Sequence, residues 1–108
     1  MKGHRTPPAP RHLGDHGRRL WKRLVAEFDL SDAASQELLE KAAVSADRAA
    51  QAREVIAREG ITVKGASGVP VRHPAVVIER DATLAIQQAF KLLQLHHVPE
   101  GAGRRPGT

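Results

Sequence analysis

The chain contains no cysteine and very few aromatic residues. Among its 108 residues there are one Trp, two Phe and no Tyr. The absence of cysteine excludes a disulfide framework and any metal site built on thiolates. Because aromatic side chains are so few, the core must be made mainly of Leu, Ile, Val and Ala. Because alanine fills little volume, helices rich in it must approach closely or bury their faces in an oligomer, so the composition favours self-association.

Long apolar runs are also missing. No segment approaches the roughly 20 apolar residues that span a bilayer. The first eight residues, MKGHRTPP, lack the apolar core of a signal peptide. We therefore expect a soluble, intracellular protein with no membrane partner, and its length predicts a single domain.

The positive charge is concentrated at the two ends of the chain. The net charge is +5, of which residues 1–23 contribute +6, residues 24–103 contribute −3 and residues 104–108 contribute +2. A basic arm on a slightly acidic body indicates a polyanionic partner, and nucleic acid fits best. The alternative is that the basic ends only aid solubility, and charge alone leaves both readings open.

Three segments are expected along the chain. Residues 1–13 hold three prolines and several basic side chains, and they predict a flexible basic arm. Residues 14–98 are predicted to form a helical domain for oligomerisation and DNA binding. Residues 99–108, rich in Gly and Pro, predict a flexible tail.

The first helix is predicted over residues 15–28. Leu20, Leu24 and Phe28 recur every four residues and make one apolar stripe. Asp15 is positioned to cap the N-terminus of this helix.

A long second helix is predicted over residues 33–59. Ser31 or Asp32 would cap its start, and Gly60 is the residue expected just past its end. The residues of one face of this helix follow a spacing close to that of a coiled-coil seam. They are Leu39, Ala42, Ala43, Ala46, Ala49, Ala50, Arg53 and Ile56.

A short β-hairpin and a last helix complete a mainly α fold. Residues 61–63 and 69–71 have strand composition, and glycines supply the turn between them. Pro74 suits the first position of a helix over residues 74–95, which can fold back along the second helix as a helical hairpin. The β-hairpin thus lies between the long second helix and the last helix, and we expect neighbouring subunits to support it. The apolar face of the last helix is predicted to comprise Ile78, Ala82, Ala85, Ile86, Ala89, Phe90 and Leu93.

No set of residues in the sequence predicts catalysis. His12 and His16 are four apart, but the glutamate of a metalloprotease motif is missing. His73 has no identifiable nucleophile beside it, and we interpret it as structural. The glycine turn at residues 65–68 lacks the Walker lysine and hydroxyl. We therefore predict no enzymatic activity, no cofactor and no metal.

The basic residues around the first helix are the best functional candidates. A surface of this kind contacts phosphates, and a basic arm can reach a groove. Trp21, within this helix, is interpreted as a core residue rather than a base-stacking ring. The predicted DNA-binding residues are Arg5, Arg11, Arg18, Arg19, Lys22 and Arg23, aided by Arg104 and Arg105.

Several short motifs follow one another in a characteristic order. After the Pro-rich basic arm come Leu-Trp-Lys-Arg-Leu at residues 20–24 and a turn at residues 29–32. Ala-Asp-Arg at 46–48 and Ala-Arg-Glu at 52–54 follow on the long helix. Then come Glu-Gly-Ile-Thr-Val at 59–63 and Arg-His-Pro-Ala at 72–75. Over roughly residues 7–98 this order resembles the small terminase subunit of tailed bacteriophages and prophages. The glycine that usually stops the last helix in that family is absent from residues 93–96.

The resemblance implies a function and a set of partners. Small terminase subunits are non-enzymatic proteins that assemble as rings, recognise viral double-stranded DNA and deliver it to the large subunit. The large subunit carries the ATPase and the nuclease. By this resemblance we expect a ring-like homo-oligomer in the cytoplasm of the infected bacterial host. The alternative is a helical protein-interaction adaptor that does not bind DNA directly.

Overall fold

The computed structural model describes residues 7–93. It contains α1 (Asp15–Glu27), α2 (Ala33–Glu59), β1 (Thr62–Lys64), β2 (Pro70–Arg72) and α3 (Pro74–Leu93). The mainly helical fold, with a short hairpin before the last helix, is confirmed. Residues 94 and 95, which the sequence assigns to the last helix, lie outside the described residues. Within the described part, no helix is long and apolar enough to cross a membrane.

The ends of α2 are determined by residues next to the helix in sequence. Asp32 accepts a hydrogen bond from the backbone N–H of Ser35, with N to Oδ2 at 2.9 Å. Hydrogen bonds from Ser35, first from its side chain and then from its backbone, lower the pKa of Asp32 below its usual value. At the other end Gly60 takes a φ of +88°, which L side chains rarely adopt. Both predicted boundaries of α2 are confirmed.

Helix α3 folds back along α2, and small residues make the contact. The buried residues of α3 are Ala75, Ala82 and Ala89, seven residues apart. A spacing of seven residues keeps the same side of a helix against its partner helix. Because alanine has only a methyl side chain, the two backbones approach closely along this seam.

The buried surface of α2 differs from the single predicted face. Ser45 and Ala52 are buried although the prediction omits them, whereas Arg53 is exposed although the prediction includes it. The reason is that α2 is covered by two helices, α1 on one side and α3 on another. Likewise Ile78, predicted to lie on the apolar face of α3, is 45% exposed because it lies at the margin of the contact with α2. The buried residues of α2 are Leu39, Ala42, Ala43, Ser45, Ala49 and Ala52.

The hydrophobic core lies between α1, the first half of α2 and the segment preceding α1. Trp21 is only 3% exposed and is a core residue, as predicted. Its Nε1–H donates to the carbonyl oxygen of Pro7 at 3.0 Å. Residues 7–13 of the arm therefore lie against the core. The buried members of this cluster are Leu13, Trp21, Leu24, Leu30, Leu39 and Ala43.

The two strands form an antiparallel hairpin that leaves its apolar side chains exposed. Val63 pairs with Val71 in the register. Ile61 is 64% exposed, Val69 59% and Val71 46%. The helices of the same chain therefore do not cover these side chains.

His73 joins the hairpin to both neighbouring helices. Its Nδ1 accepts the backbone N–H of Ala75 at 2.9 Å, which caps the start of α3. The ring proton therefore lies on Nε2, which donates to Oε1 of Glu59 at 2.8 Å. His73 is 8% exposed, and its structural role is the one expected from the sequence. This hydrogen bond is the largest cause that lowers the pKa of Glu59 below its usual value.

The lowered pKa of Glu59 predicts a pH dependence of stability. Because the folded state favours the ionised carboxylate, this contribution is complete above the ordinary pKa of 4.5 and is lost as pH falls through the lower folded value. We expect Glu59→Gln to reduce the loss of unfolding free energy below pH 4.5, measured by urea denaturation across that pH. Glu54→Gln removes an exposed carboxylate from the same helix and leaves the Glu59–His73 hydrogen bond in place, so it is the matched control. Equal profiles for wild type and Glu59→Gln would contradict the assignment.

Candidate nucleic-acid interface

Helix α1 has one buried side and one basic side. Gly17, Trp21 and Leu24 are buried against the core. Opposite them, at 100° per residue, lie the exposed Arg19, Lys22 and Arg23. Arg18 is half-buried at the edge. We call these four cations, Arg18, Arg19, Lys22 and Arg23, the basic α1 surface.

The charges of the basic α1 surface are not neutralised within the described chain. Across residues 7–93, none of the four cations has an acidic oxygen within ion-pair distance. Arg18 is spaced four residues from Lys22, and Arg19 four from Arg23, so like charges adjoin along the helix. Such pairs destabilise a helix by a few tenths of a kcal/mol. The arrangement therefore costs stability unless an anion is bound.

The other predicted DNA-binding residues are distributed around this surface or lie beyond the described part. Arg11 is exposed, and its carbonyl oxygen accepts a hydrogen bond from Nη2 of Arg18 at 3.5 Å. The structure thus brings Arg11 next to the basic α1 surface. Arg5, Arg104 and Arg105 lie outside the described residues.

The N-terminus of α1 is capped by a carboxylate from α2. Asp47 accepts the backbone N–H of Gly14 at 2.6 Å and that of Gly17 at 2.7 Å. These are two of the donors that a helix start leaves without an internal partner. The negative charge of the Asp47 carboxylate also interacts favourably with the positive end of the dipole of α1. The prediction that Asp15 caps this helix is wrong, because the cap position is Gly14 and the capping oxygen comes from another helix.

Gly17 permits the close approach of the two helices. A Cβ placed on Gly17 would lie 2.5 Å from the carbonyl oxygen of Ala43 and 2.6 Å from Oδ2 of Asp47. Both distances are shorter than real Cβ atoms show. The carbonyl oxygen of Ala43 belongs to the backbone, so rotating a side chain cannot relieve this overlap. By itself, a glycine such as Gly17 in the first turn only lowers the stability of a helix. In the structure it is required for the contact that orients α1.

Asp47 and its two glycine partners are the residues that the sequence prediction missed. A signal for them was present. Gly14 and Gly17 are three apart at a helix start, where successive N–H groups point the same way. Asp47 is a lone carboxylate within an alanine-rich stretch of α2. Nothing local connects the two features, because they are 30 residues apart.

A polar cleft lies beside this cap. It has a volume of about 660 Å³ and is lined by His12, His16, Asp47 and Arg48, among others. Nε2 of His12 is 3.0 Å from Oε2 of Glu40. Across residues 7–93, no group of three His, Asp or Glu side chains is arranged to hold a metal ion.

Comparison with known protein families identifies a relationship over most of the chain. The family model described as "Phage terminase, small subunit" matches residues 17–98, which is about three quarters of the chain. The chain belongs to the phage terminase small subunit family. This confirms the resemblance inferred from the motifs. No curated protein and no solved structure gave a significant match.

The basic α1 surface lies within the part of the chain that matches the family. The match begins at Gly17 and includes all four cations of that surface. It supports a role for this small terminase subunit in phage DNA packaging. The match also includes α2, the hairpin and α3, so it covers both the cap at Asp47 and the junction at His73.

The close contact at Gly17 predicts that replacing this glycine by alanine lowers the stability of the protein, which is the opposite of the usual effect in a helix. In an open helix, Gly→Ala stabilises by up to about 1 kcal/mol. Here we expect Gly17→Ala to destabilise the protein by about 1–3 kcal/mol, because the methyl group overlaps the Ala43 carbonyl and displaces Asp47. Urea denaturation measures the change, with the exposed Lys22→Ala as a control that should alter stability by less than about 0.5 kcal/mol. A stabilising Gly17→Ala would show that α1 does not approach α2 this closely.

Proposed function

We propose that this protein is a non-enzymatic DNA-recognition subunit of the packaging machinery. It binds double-stranded viral DNA through the basic α1 surface and delivers it to the large terminase subunit. The large subunit supplies the ATPase and nuclease activities. The protein acts as a ring-like homo-oligomer in the cytoplasm of the infected host.

The observation that carries this proposal is a set of uncompensated cations on a helix of fixed orientation. Three of the four cations point to solvent, and none has an acidic partner among residues 7–93. A phosphate backbone provides the missing anions and releases counterions on binding. Because Asp47 and Gly17 hold α1 against α2, the surface is organised before DNA arrives.

The geometry favours phosphate contacts over reading of base sequence. A helix-turn-helix protein inserts its second helix into the major groove. Here α2 is acidic at its start, where Asp32, Glu37 and Glu40 precede or open the helix, and it is covered by α1 and α3. Arg and Lys on α1 therefore position the DNA, and α2 does not enter it.

Exposed apolar side chains support the assembly of several copies. Besides the hairpin residues, Leu84 is 54% and Leu92 62% exposed on α3. From the sequence alone, both the hairpin and the alanine-rich face of residues 39–56 are candidates for subunit contacts. That face is occupied within one chain, since Ala42, Ala43 and Ala49 are at most 2% exposed. Subunit contacts are therefore assigned to the hairpin and the outer surfaces of α2 and α3.

Removing charge from the basic α1 surface should weaken DNA binding in a salt-dependent way. The test variant is Arg19→Gln/Lys22→Gln/Arg23→Gln, measured by fluorescence anisotropy with duplex DNA over a range of salt concentrations. For each phosphate that the variant fails to neutralise, the slope of log K against log salt should become shallower by about 0.9. The matched control is Arg58→Gln/Arg80→Gln/Lys91→Gln, which removes the same charge from exposed positions on α2 and α3.

The outcomes separate the proposal from its alternatives. A reduced slope for the α1 variant and a retained slope for the control support binding by the basic α1 surface. Equal reductions would show that net charge alone attracts DNA. No salt-dependent binding by the wild-type protein would favour the adaptor function.

A further inference from the structure

Residues 7–13, which precede α1, are fixed against the core, and we call them the strap. Leu13 is 4% exposed, and the carbonyl oxygen of Pro7 accepts the Nε1–H of Trp21 at 3.0 Å. Between these two points the carbonyl oxygen of Pro10 accepts the backbone N–H of Leu13 at 3.3 Å, which closes a turn. Because proline fixes φ, the prolines of the strap reduce the entropy that is lost when it is ordered. The strap therefore has a defined place next to α1.

The turn of the strap directs two neighbouring residues to two different helices. Arg11 and His12 are its central residues. The carbonyl oxygen of Arg11 accepts a hydrogen bond from Nη2 of Arg18 on α1 at 3.5 Å. Nε2 of His12 lies 3.0 Å from Oε2 of Glu40 on α2. The turn is thus held from both sides, and the Arg11 side chain begins beside the guanidinium of Arg18.

The acidic side chains around the start of α1 do not neutralise these two arginines. Glu40 is paired with His12, and both carboxylate oxygens of Asp47 accept backbone N–H groups. Asp15, three residues before Arg18, forms no ion pair with either arginine within the described chain. Arg11 and Arg18 are therefore neighbours without an acidic partner among residues 7–93. Since like charges repel, a bound anion makes this arrangement favourable.

The chemistry of the guanidinium group favours phosphate as that anion. A guanidinium donates from a planar fork that matches two oxygens of a phosphate, whereas a lysine ammonium acts as a point charge. Because one N–H of Arg18 is directed to the Arg11 carbonyl, the orientation of its guanidinium is restricted before an anion arrives. Lys22 follows one turn further along the exposed side of α1, about 6 Å away at 1.5 Å per residue. A row of cations suits a phosphodiester backbone better than a single small anion.

We infer that Arg11 and Arg18 bind one phosphate of the DNA backbone together, with each guanidinium donating to that phosphate. The other three cations of the basic α1 surface contribute charge along the neighbouring backbone. The strap holds Arg11 in place for this contact, so Trp21 is a positioning residue. This inference rests on the proposed DNA binding and identifies within it a two-arginine site, Arg11 and Arg18.

Substitutions that keep the charge test the two-arginine site directly. We expect Arg11→Lys/Arg18→Lys to weaken binding of duplex DNA by about two- to tenfold, because lysine does not reproduce the fork and hydrogen bonds to the phosphate are lost. Fluorescence anisotropy at constant salt measures the change. The matched control is Arg58→Lys/Arg80→Lys, which makes the same exchange at exposed positions outside the basic α1 surface and should leave the affinity unchanged. A loss no larger than that of the control overturns the site.

The salt dependence shows whether the two arginines share one phosphate. If they made independent contacts, Arg11→Gln/Arg18→Gln would make the slope of log K against log salt shallower by about 1.8, since each contact contributes about 0.9. For a shared phosphate we expect a change of about 0.9, because one phosphate is no longer neutralised. The larger change would contradict the shared site.

Trp21→Phe tests the role of the strap without changing any charge. It removes the N–H that holds Pro7 and keeps an aromatic ring in the core. We expect it to weaken DNA binding by about two- to fivefold in the wild-type background, the effect of one exposed contact, and to have no further effect in the Arg11→Gln variant. Ala82→Gly, which loosens the buried contact between α2 and α3 instead, should leave the affinity of the folded protein unchanged. Equal effects of Trp21→Phe in both backgrounds would show that Trp21 does not act through Arg11.

A second strap variant leaves the core untouched. Pro7→Gly/Pro8→Gly keeps the carbonyl that Trp21 holds but increases the conformational freedom of the strap. It should therefore weaken DNA binding when Arg11 is present and have no effect in the Arg11→Gln variant. Circular dichroism checks that the helices of each variant remain folded.

The outcomes separate this inference from the proposed function. A wild-type protein without salt-dependent DNA binding overturns both. Binding that is weakened by Arg19→Gln/Lys22→Gln/Arg23→Gln but not by Arg11→Lys/Arg18→Lys overturns the two-arginine site and leaves the proposed function standing. A loss with Arg11→Lys/Arg18→Lys, together with a slope change of about 0.9 for the glutamine pair, supports the site.

Discussion

One carboxylate determines how the first helix is placed on the rest of the protein. Asp47 of α2 accepts two backbone N–H groups at the start of α1, and Gly17 lets the two helices approach closely enough for it to do so. A helix start needs such an acceptor, and here a neighbouring helix supplies it rather than the adjacent sequence. The rotation of α1 follows from this contact. Trp21 is directed into the core, and the cations are directed to solvent.

The same placement connects the fold with DNA packaging. The small side chains of α2 and α3 allow the two long helices to pack closely with few large residues. The core beneath α1 then relies on Trp21 and a few leucines. The basic α1 surface gains no compensating ion pairs from this packing within the described residues. Its charges remain available to a polyanion, which agrees with membership of a family involved in packaging phage DNA.

The elements that were predicted correctly depend on neighbours in sequence. Asp32 caps α2 through Ser35, Gly60 ends it with a positive φ, and His73 caps α3 through Ala75. Each interaction joins residues at most four positions apart, so composition and spacing contain it. The cap of α1 was assigned to Asp15 by the same local reasoning. That assignment failed because the acceptor is 30 or more residues away.

The sequence by itself determined which segments are helical, where the hairpin lies and that the cations concentrate near α1. Helical periodicity, capping residues and charge counts are properties of short stretches of chain. Only the tertiary structure decided that α2 is covered on two sides, that its alanines are buried within one chain, and that Asp47 holds α1. The physical reason is that each of these depends on the distance and rotation between helices. Those quantities are decided by packing across the whole domain.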